Sequence, residues 1–435
     1  MTDTVREPGA ASRLPRGFHL LLTGQSVSLV GSAVTLLALP LTAIDLLSAG
    51  PFQTGVLLAC GRAPYLLCGP VAGVLVDRRP HRALLMGANT VMALVLATVP
   101  VTALTGHLSL PHLYVAALVV GTATVLADVA YLACVPTVVP SAQLVQAQSR
   151  LELGQSIAVA LGPPLAGWLI GAFSAPAAIF ADAASFLLAT ALLPYVAMRP
   201  LPRPSAALTT GGIVTEAAEG ARFLLRTARL RAVTLATATL VFCYNAYAAV
   251  LLLHLTGQLG FSAYETGTAM GVGAAGGVAG ALVARALARA LGLGRVLVAA
   301  LLLSAAGAVV APAIATTGWP ALPGIALSQF LLWTGQQIYN VHQVPVRYAL
   351  TPPALHGRIN ASIRTVVWGL APVGALLGGA CGTWFGTRTT LALSGTVMAL
   401  AAVWIFRSPL WSVRTPQLDA LDRESGTRTP RPRVS

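Results

Sequence analysis

Few side chains in this sequence could carry charge within the long apolar runs that fill it, and those few limit the chemistry available. Arg62 falls near the middle of the second run. At the centre of a bilayer an ionised residue costs about 2.5–3.5 kcal/mol on insertion scales, so a charge kept there needs a reason. It serves a substrate or a proton, or it fixes a helix by bonding to neighbouring carbonyls. Asp128 lies in the later half of the fourth run, with Thr124 and Tyr131 on the same side by helical spacing. A low-dielectric site disfavours the charged form of a carboxyl. Asp128 is therefore the first candidate for a group that binds and releases a proton; the other reading is a carboxylate held ionised by a nearby Arg. Glu152 opens the fifth run and reads as a gate residue before a coupling one. Asp182 reads as a residue that caps or orients the sixth run, and Asp45 and Glu265 as solvated acids at the surface.

Hydrogen bonding is the second kind of chemistry on offer. Gln25, Ser28, Ser32 and Thr35 form a stripe on the first run, and Tyr131 of the fourth is a further candidate for lining a cavity. Thr234, Thr237, Tyr244 and Asn245 lie along the seventh. The tenth run has the clearest pattern, because Gln329, Trp333, Gln336, Asn340 and Gln343 recur at helical spacing on one face. Buried amides need partners and lipid offers none. That face must meet protein or water, either in hydrogen bonds between helices or as the lining of a cavity.

The elements that would position these residues follow from composition. The chain of 435 residues is 56% hydrophobic and 9% charged, with a mean hydropathy of +0.77; soluble domains carry about 25% charged residues. Apolar runs long enough to cross a hydrocarbon core, about 20 residues each, recur from Phe18 to Leu410 and predict twelve spans. All 27 basic residues are arginine. On twelve spans with both ends inside, only Arg62 falls within a run and only Arg388 on the outer side. That is the asymmetry the positive-inside rule demands. Because the arginines are spread over seven loops, the net charge of +14 is explained by topology without a nucleic-acid partner. The first apolar run is too long for a signal-peptide core and no small-residue cleavage site precedes it, so it is expected to stay. The five cysteines lie in apolar runs without metal or redox spacing.

These features predict five segments: an N-terminal segment 1–17, a six-helix bundle 18–197, a central linker 198–229, a second bundle 230–409 and a tail 410–435. The segment from Pro140 (PSAQLVQAQSRLELGQSIAVALGPPLAG) pairs with that from Pro352 (PPALHGRINASIRTVVWGLAPVGALLGG), setting Gly162 against Gly374. Such an internal repeat is a mark of transporter folds. Glycines at four-residue spacing (Gly69 and Gly73; Gly276 and Gly280; Gly374, Gly378, Gly382 and Gly386) predict close helix packing.

After the second run comes GVLVDRRPHRALL, which resembles the loop signature of the major facilitator superfamily at Gly73, Asp77, Arg78 and Arg82, with Pro80 and His81 departing from it. In the second half GALVARALARALGLGR keeps Gly280, Arg285 and Arg295 but has Ala284 where an acid would sit. GQSVSLVGSAVTLLALPL, RAPYLLCGPVAG, DAASFLLA and QVPVRYALTPPALHGRIN resemble the exporter branch that contains the enterobactin and macrolide efflux proteins. Ser32 stands where that branch often has an acid. GQSIAVALGPPLAG resembles the antiporter signature of drug/proton exchangers at Gly154, Gly162, Pro163 and Gly167, where the prolines would kink the helix.

The resemblance implies an all-α membrane protein of the major facilitator fold, two six-helix bundles working by alternating access. It implies a proton-driven antiporter that exports a moderately hydrophobic small molecule such as a drug, macrolide, siderophore or other natural product. An uptake permease, a lysolipid flippase and a non-transporting sensor are the alternatives. Asp77 and its neighbouring arginines would clamp the inner side against the segment around Arg358 to Arg364. The expected partners are a small-molecule substrate, protons and the lipid bilayer, with no nucleic acid and no cofactor, and the expected working form is a monomer. An Arg-only basic set rich in Ala and Gly suggests a bacterial plasma membrane, with both termini cytoplasmic. With no Lys there is no P-loop, and no nucleophile and base stand together, which argues against a pump driven by ATP and against an enzyme.

Overall fold

The computed structural model describes residues 14–67, 75–76, 79–198, 222–352 and 356–413. Among the described residues there is no strand. Apolar runs of this length satisfy their own backbone donors and acceptors only as helices, because a bilayer core supplies no partner for a free N–H or C=O.

Six long helices occupy the first half: α1 (Arg16–Leu47), α2 (Pro51–Leu67), α3 (His81–Leu104), α4 (Leu110–Val138), α5 (Leu144–Ala172) and α6 (Ala175–Leu192). Six more follow: α7 (Ala228–Leu253), α8 (Ala263–Leu291), α9 (Leu293–Ala313), α10 (Leu322–Ala349), α11 (His356–Phe385) and α12 (Thr387–Phe406). Ten of these are long and apolar enough to cross a membrane. The other two are α2, described over 17 residues, and α10, whose polar stripe lowers its hydropathy.

The two halves repeat one packing scheme. In the first, α1 lies against α5 and α6, α3 against α4 and α6, and α2 against α4. In the second, α7 lies against α11 and α12, α9 against α10 and α12, and α8 against α10. The main contacts between the halves are crossed, α2 with α11 and α5 with α8. Each includes a close pair of glycines. A methyl group on Gly55 would meet the Ala375 carbonyl oxygen at 2.6 Å and Gly379 Cα at 3.0 Å, and one on Gly167 would meet the Ala263 carbonyl oxygen at 2.6 Å and Gly267 Cα at 3.0 Å. With no hydrophobic force between helices in lipid, such backbone approaches are what bring helices together. All four glycines lie near the helix ends remote from the N terminus, so the bundles touch on the far side and part on the terminal side.

Local chemistry sets several helix ends. Ser262 and Glu265 form a reciprocal cap at the start of α8, with Ser262 N–H donating to Glu265 Oε2 at 2.8 Å and Glu265 N–H donating to Ser262 Oγ at 3.3 Å. Glu265 is therefore buried, not solvated as the sequence suggested. It satisfies backbone donors that a helix start leaves free. Gly292, with φ 86°, makes the left-handed turn that joins α8 directly to α9.

Candidate functional site

The space where the bundles part is a cavity of about 410 Å³ whose walls come from both halves. From α10 it takes Trp333, Gln336, Asn340 and Gln343, four of the five residues of the predicted stripe. The fifth, Gln329, is buried and donates from Nε2 to the Tyr247 hydroxyl at 2.9 Å. The face therefore divides its work: its far end binds a neighbouring helix and the rest lines the cavity. Gly273, Gly276 and Gly280 of α8 leave no room for a side chain against α10, and the Thr334 hydroxyl donates to the Gly276 carbonyl at 2.9 Å. These contacts hold the stripe in one orientation.

Tyr244 and Asn245 of α7 face the same cavity. Tyr244 meets Trp333 edge to face, with ring centroids 5.9 Å apart at 76°, and Asn245 Nδ2 donates to the Val241 carbonyl at 2.8 Å. Arg62 is half-buried in the wall. Sequence reasoning missed two further arginines there, Arg347 of α10 and Arg364 of α11. Their only signal was position near helix ends, where topology already accounted for them. The Gln336 amide nitrogen is buried without a hydrogen-bond partner.

Asp128 sits beside this cavity. Its Oδ2 accepts from the Tyr65 hydroxyl at 3.1 Å. The Tyr65 ring stacks on Trp368 of α11, centroids 5.7 Å apart and planes at 26°. The carboxyl is thus coupled to the cavity wall through one aromatic pair that spans the two halves. Thr124 and Tyr131 do not share its surroundings. The Thr124 hydroxyl reaches the Met92 sulfur at 3.4 Å, and Tyr131 and Gln25 face a small cavity of about 20 Å³ inside the first bundle. A helical face of three residues is broad enough for its edges to meet different neighbours.

Other candidates are distributed around the first bundle. Ser28 is buried and Ser32 half-buried on α1. Glu152 is exposed and accepts from Gln148 Nε2 at 3.0 Å. Gly154 abuts Ser26 and Gly162 abuts Ala33, both on α1, while Gly167 meets α8. The Gly-Pro stretch of α5 is therefore a packing junction, and α5 stays helical through Pro163, which also borders the cavity. Of the loop signature, Arg82 donates to the Val196 carbonyl, tying the start of α3 to the end of the first bundle. Gly73, Asp77 and Arg78 lie outside the described residues, as do Cys68 and the side chain of Arg358.

Asp182 is the residue that sequence reasoning most underrated. It is fully buried between α1 and α6, accepting from the Thr35 hydroxyl at 2.5 Å and the Ser185 hydroxyl at 3.2 Å. Its partner Thr35, part of the polar stripe on α1, faces this helix interface.

The fold of two pseudo-symmetric bundles is one the chain shares with solved membrane transporters. A bacterial homologue of the iron transporter ferroportin, solved in an inward-facing state, superposes with a TM-score of 0.69 at 16% identity, covering 89% of this chain and 98% of that one. The nucleoside transporter NupG gives a TM-score of 0.72 at 10% identity, covering 90% and 99%. Among relatives by sequence, the uncharacterized MFS-type transporter YfiS of Bacillus subtilis (strain 168) is 24% identical over 399 residues, 89% of this chain and 92% of its own length. Macrolide efflux protein A of Streptococcus pyogenes is 25% identical over 173 residues, 40% of this chain and 42% of its own. The family model described as Major Facilitator Superfamily matches residues 21–366, and with the fold and cavity in agreement the chain belongs to that superfamily.

Proposed function

We propose that this transporter is a proton-driven antiporter that expels a moderately hydrophobic small molecule by alternating access, working as a monomer in a bacterial plasma membrane with its termini in the cytoplasm. The observation that carries the reading is the link from Asp128 through Tyr65 to Trp368. A protonatable carboxyl there touches an aromatic pair made by helices of both halves. Loss or gain of its charge alters a contact that must break and re-form whenever the halves rock. The cytoplasmic end of the cavity is the Arg-rich side by the positive-inside rule.

In the conformation described, the glycine contacts close the far side and substrate would load from the cytoplasm. When the far side opens, Asp77 and Arg78 would close the inner side against the start of α11. A proton entering down about 100 mV gains about 2.3 kcal/mol, which at about 1.4 kcal/mol per decade sustains roughly a forty-fold substrate gradient. The partial likeness to a macrolide efflux protein supports the outward direction.

The test is substrate movement in everted membrane vesicles, using a panel of dyes and natural products with and without a protonophore. Wild-type accumulation that collapses with protonophore, and is lost in Asp128→Asn, is the expected result. Accumulation that persists in both overturns proton coupling through Asp128. Movement only down the reverse gradient would favour uptake.

A further inference from the structure

Export of a hydrophobic compound does not account for the charge of the central cavity. Arg62, Arg347 and Arg364 line it, and among the described residues no Asp or Glu does. Arg347 is engaged, its Nη1 donating to Gln343 Oε1 at 3.3 Å. Arg62 and Arg364 form no hydrogen bond or ion pair among the described residues. Asp128 lies close enough for Arg364 to act on its charge, and its Oδ2 is already taken by Tyr65. One carboxylate beside three guanidiniums leaves the cleft with an excess of positive charge, and low-dielectric walls focus that field on whatever enters.

The stack of Tyr65 on Trp368 fixes where two of these cations stand. Arg62 precedes Tyr65 by three residues on α2, and Arg364 precedes Trp368 by four on α11. Residues at those spacings share a helix face, so the two guanidiniums flank the same aromatic pair from opposite halves of the molecule. Guanidinium presents a planar fork of donors that matches carboxylate, sulfonate or phosphate oxygens. The unpartnered Gln336 amide nitrogen adds another donor to the wall, and Trp333 with Tyr244 adds an aromatic corner.

We infer that the transported molecule is an organic anion: one acidic group held between Arg62 and Arg364, on a flat apolar body that lies against Trp333 and Tyr244. This rests on the reading of the cavity as the transport site and narrows its substrate class, disfavouring amines. It also agrees with outward transport, because a potential negative inside drives an anion out of the cell. Exchange of one monoanion for one entering proton would move two charges per cycle.

The test is equilibrium binding to the full chain in detergent, read by quenching of tryptophan fluorescence, with three probes of one shape: 2-naphthoate, 2-naphthamide and 2-naphthylmethylammonium. The anion is expected to bind at least about tenfold more tightly than the other two, as a charge-assisted contact implies, and to weaken as salt rises. Arg62→Gln and Arg364→Gln should each abolish that preference while Arg62→Lys keeps part of it; a thermal melt of each variant shows that it is folded. Equal or tighter binding of the amide or the amine overturns the inference. So does anion binding indifferent to both Gln substitutions in folded protein, or no quench by the anion at millimolar concentration. None of these readings depends on protons or direction. Anion binding without protonophore-sensitive efflux therefore overturns the export reading alone, and efflux of amines with no anion preference overturns this one alone.

Discussion

Asp182 is a carboxyl with no access to water, held by two hydroxyl donors, one from its own helix and one from α1. Removing one donor from a buried acceptor costs its desolvation, about 1–3 kcal/mol. Thr35→Val is therefore expected to lower stability by that amount, read as a fall in melting temperature in detergent, and Asp182→Ala with Thr35→Val together should cost less than the sum of the single changes, since they break one contact. An additive double variant would show that the hydroxyl and carboxyl act separately. The sequence displayed Asp182 and Thr35 but could not join them, because they are 147 residues apart. Arg62 and Asp128 were legible for the opposite reason: a charge inside an apolar run is visible without knowing its partner. What stayed hidden was Tyr65, an ordinary aromatic in an apolar helix until its hydroxyl is seen on Asp128.

At the scale of elements, α10 shows why a periodic stripe predicts a face and leaves its use open. Helical spacing placed Gln329 and Gln336 on one side, and they lie there, yet only the second reaches the cavity. Gln329 is taken up by Tyr247 of α7 and packs on Gly273 of α8, while α9 comes close to α10 through Gly335. A methyl group there would meet the Ala300 carbonyl oxygen and the Ser304 nitrogen, each at 2.5 Å. The Ser304 hydroxyl also donates to the Leu332 carbonyl at 3.1 Å. Gly335→Val should force α10 outward, costing about 1–3 kcal/mol or more as overpacking does, and turn the stripe away from the cavity. The expected result is a lower melting temperature together with weaker naphthoate binding in the fraction still folded. Unchanged binding in a destabilised protein would show that the stripe keeps its place without the glycine.

The whole molecule carries a symmetry that the sequence disclosed only in part. Pro140 and Pro352 begin segments offset by 212 residues, and the same offset relates Gly55 to Gly267 and Gly167 to Gly379. The two glycine contacts that close the far side are thus copies of each other, each crossing from one half to the other. No hydropathy pattern could reveal this, because the contact pairs the second helix of one half with the fifth of its partner. Since these four residues let backbones touch in the closed far side alone, bulk at either contact should cost that state its close packing while leaving each bundle's own core intact. Gly55→Leu and Gly267→Leu are each expected to shift the population toward a far-side-open form and to stop transport without lowering the melting temperature in step. Spin labels at Gln53 and Thr383, on the far ends of α2 and α11, would report the shift as a longer distance between the halves. A leucine that unfolds the protein, or leaves both the distance and transport as they were, would mean that the crossed glycines are static packing and that the bundles rock about some other contact.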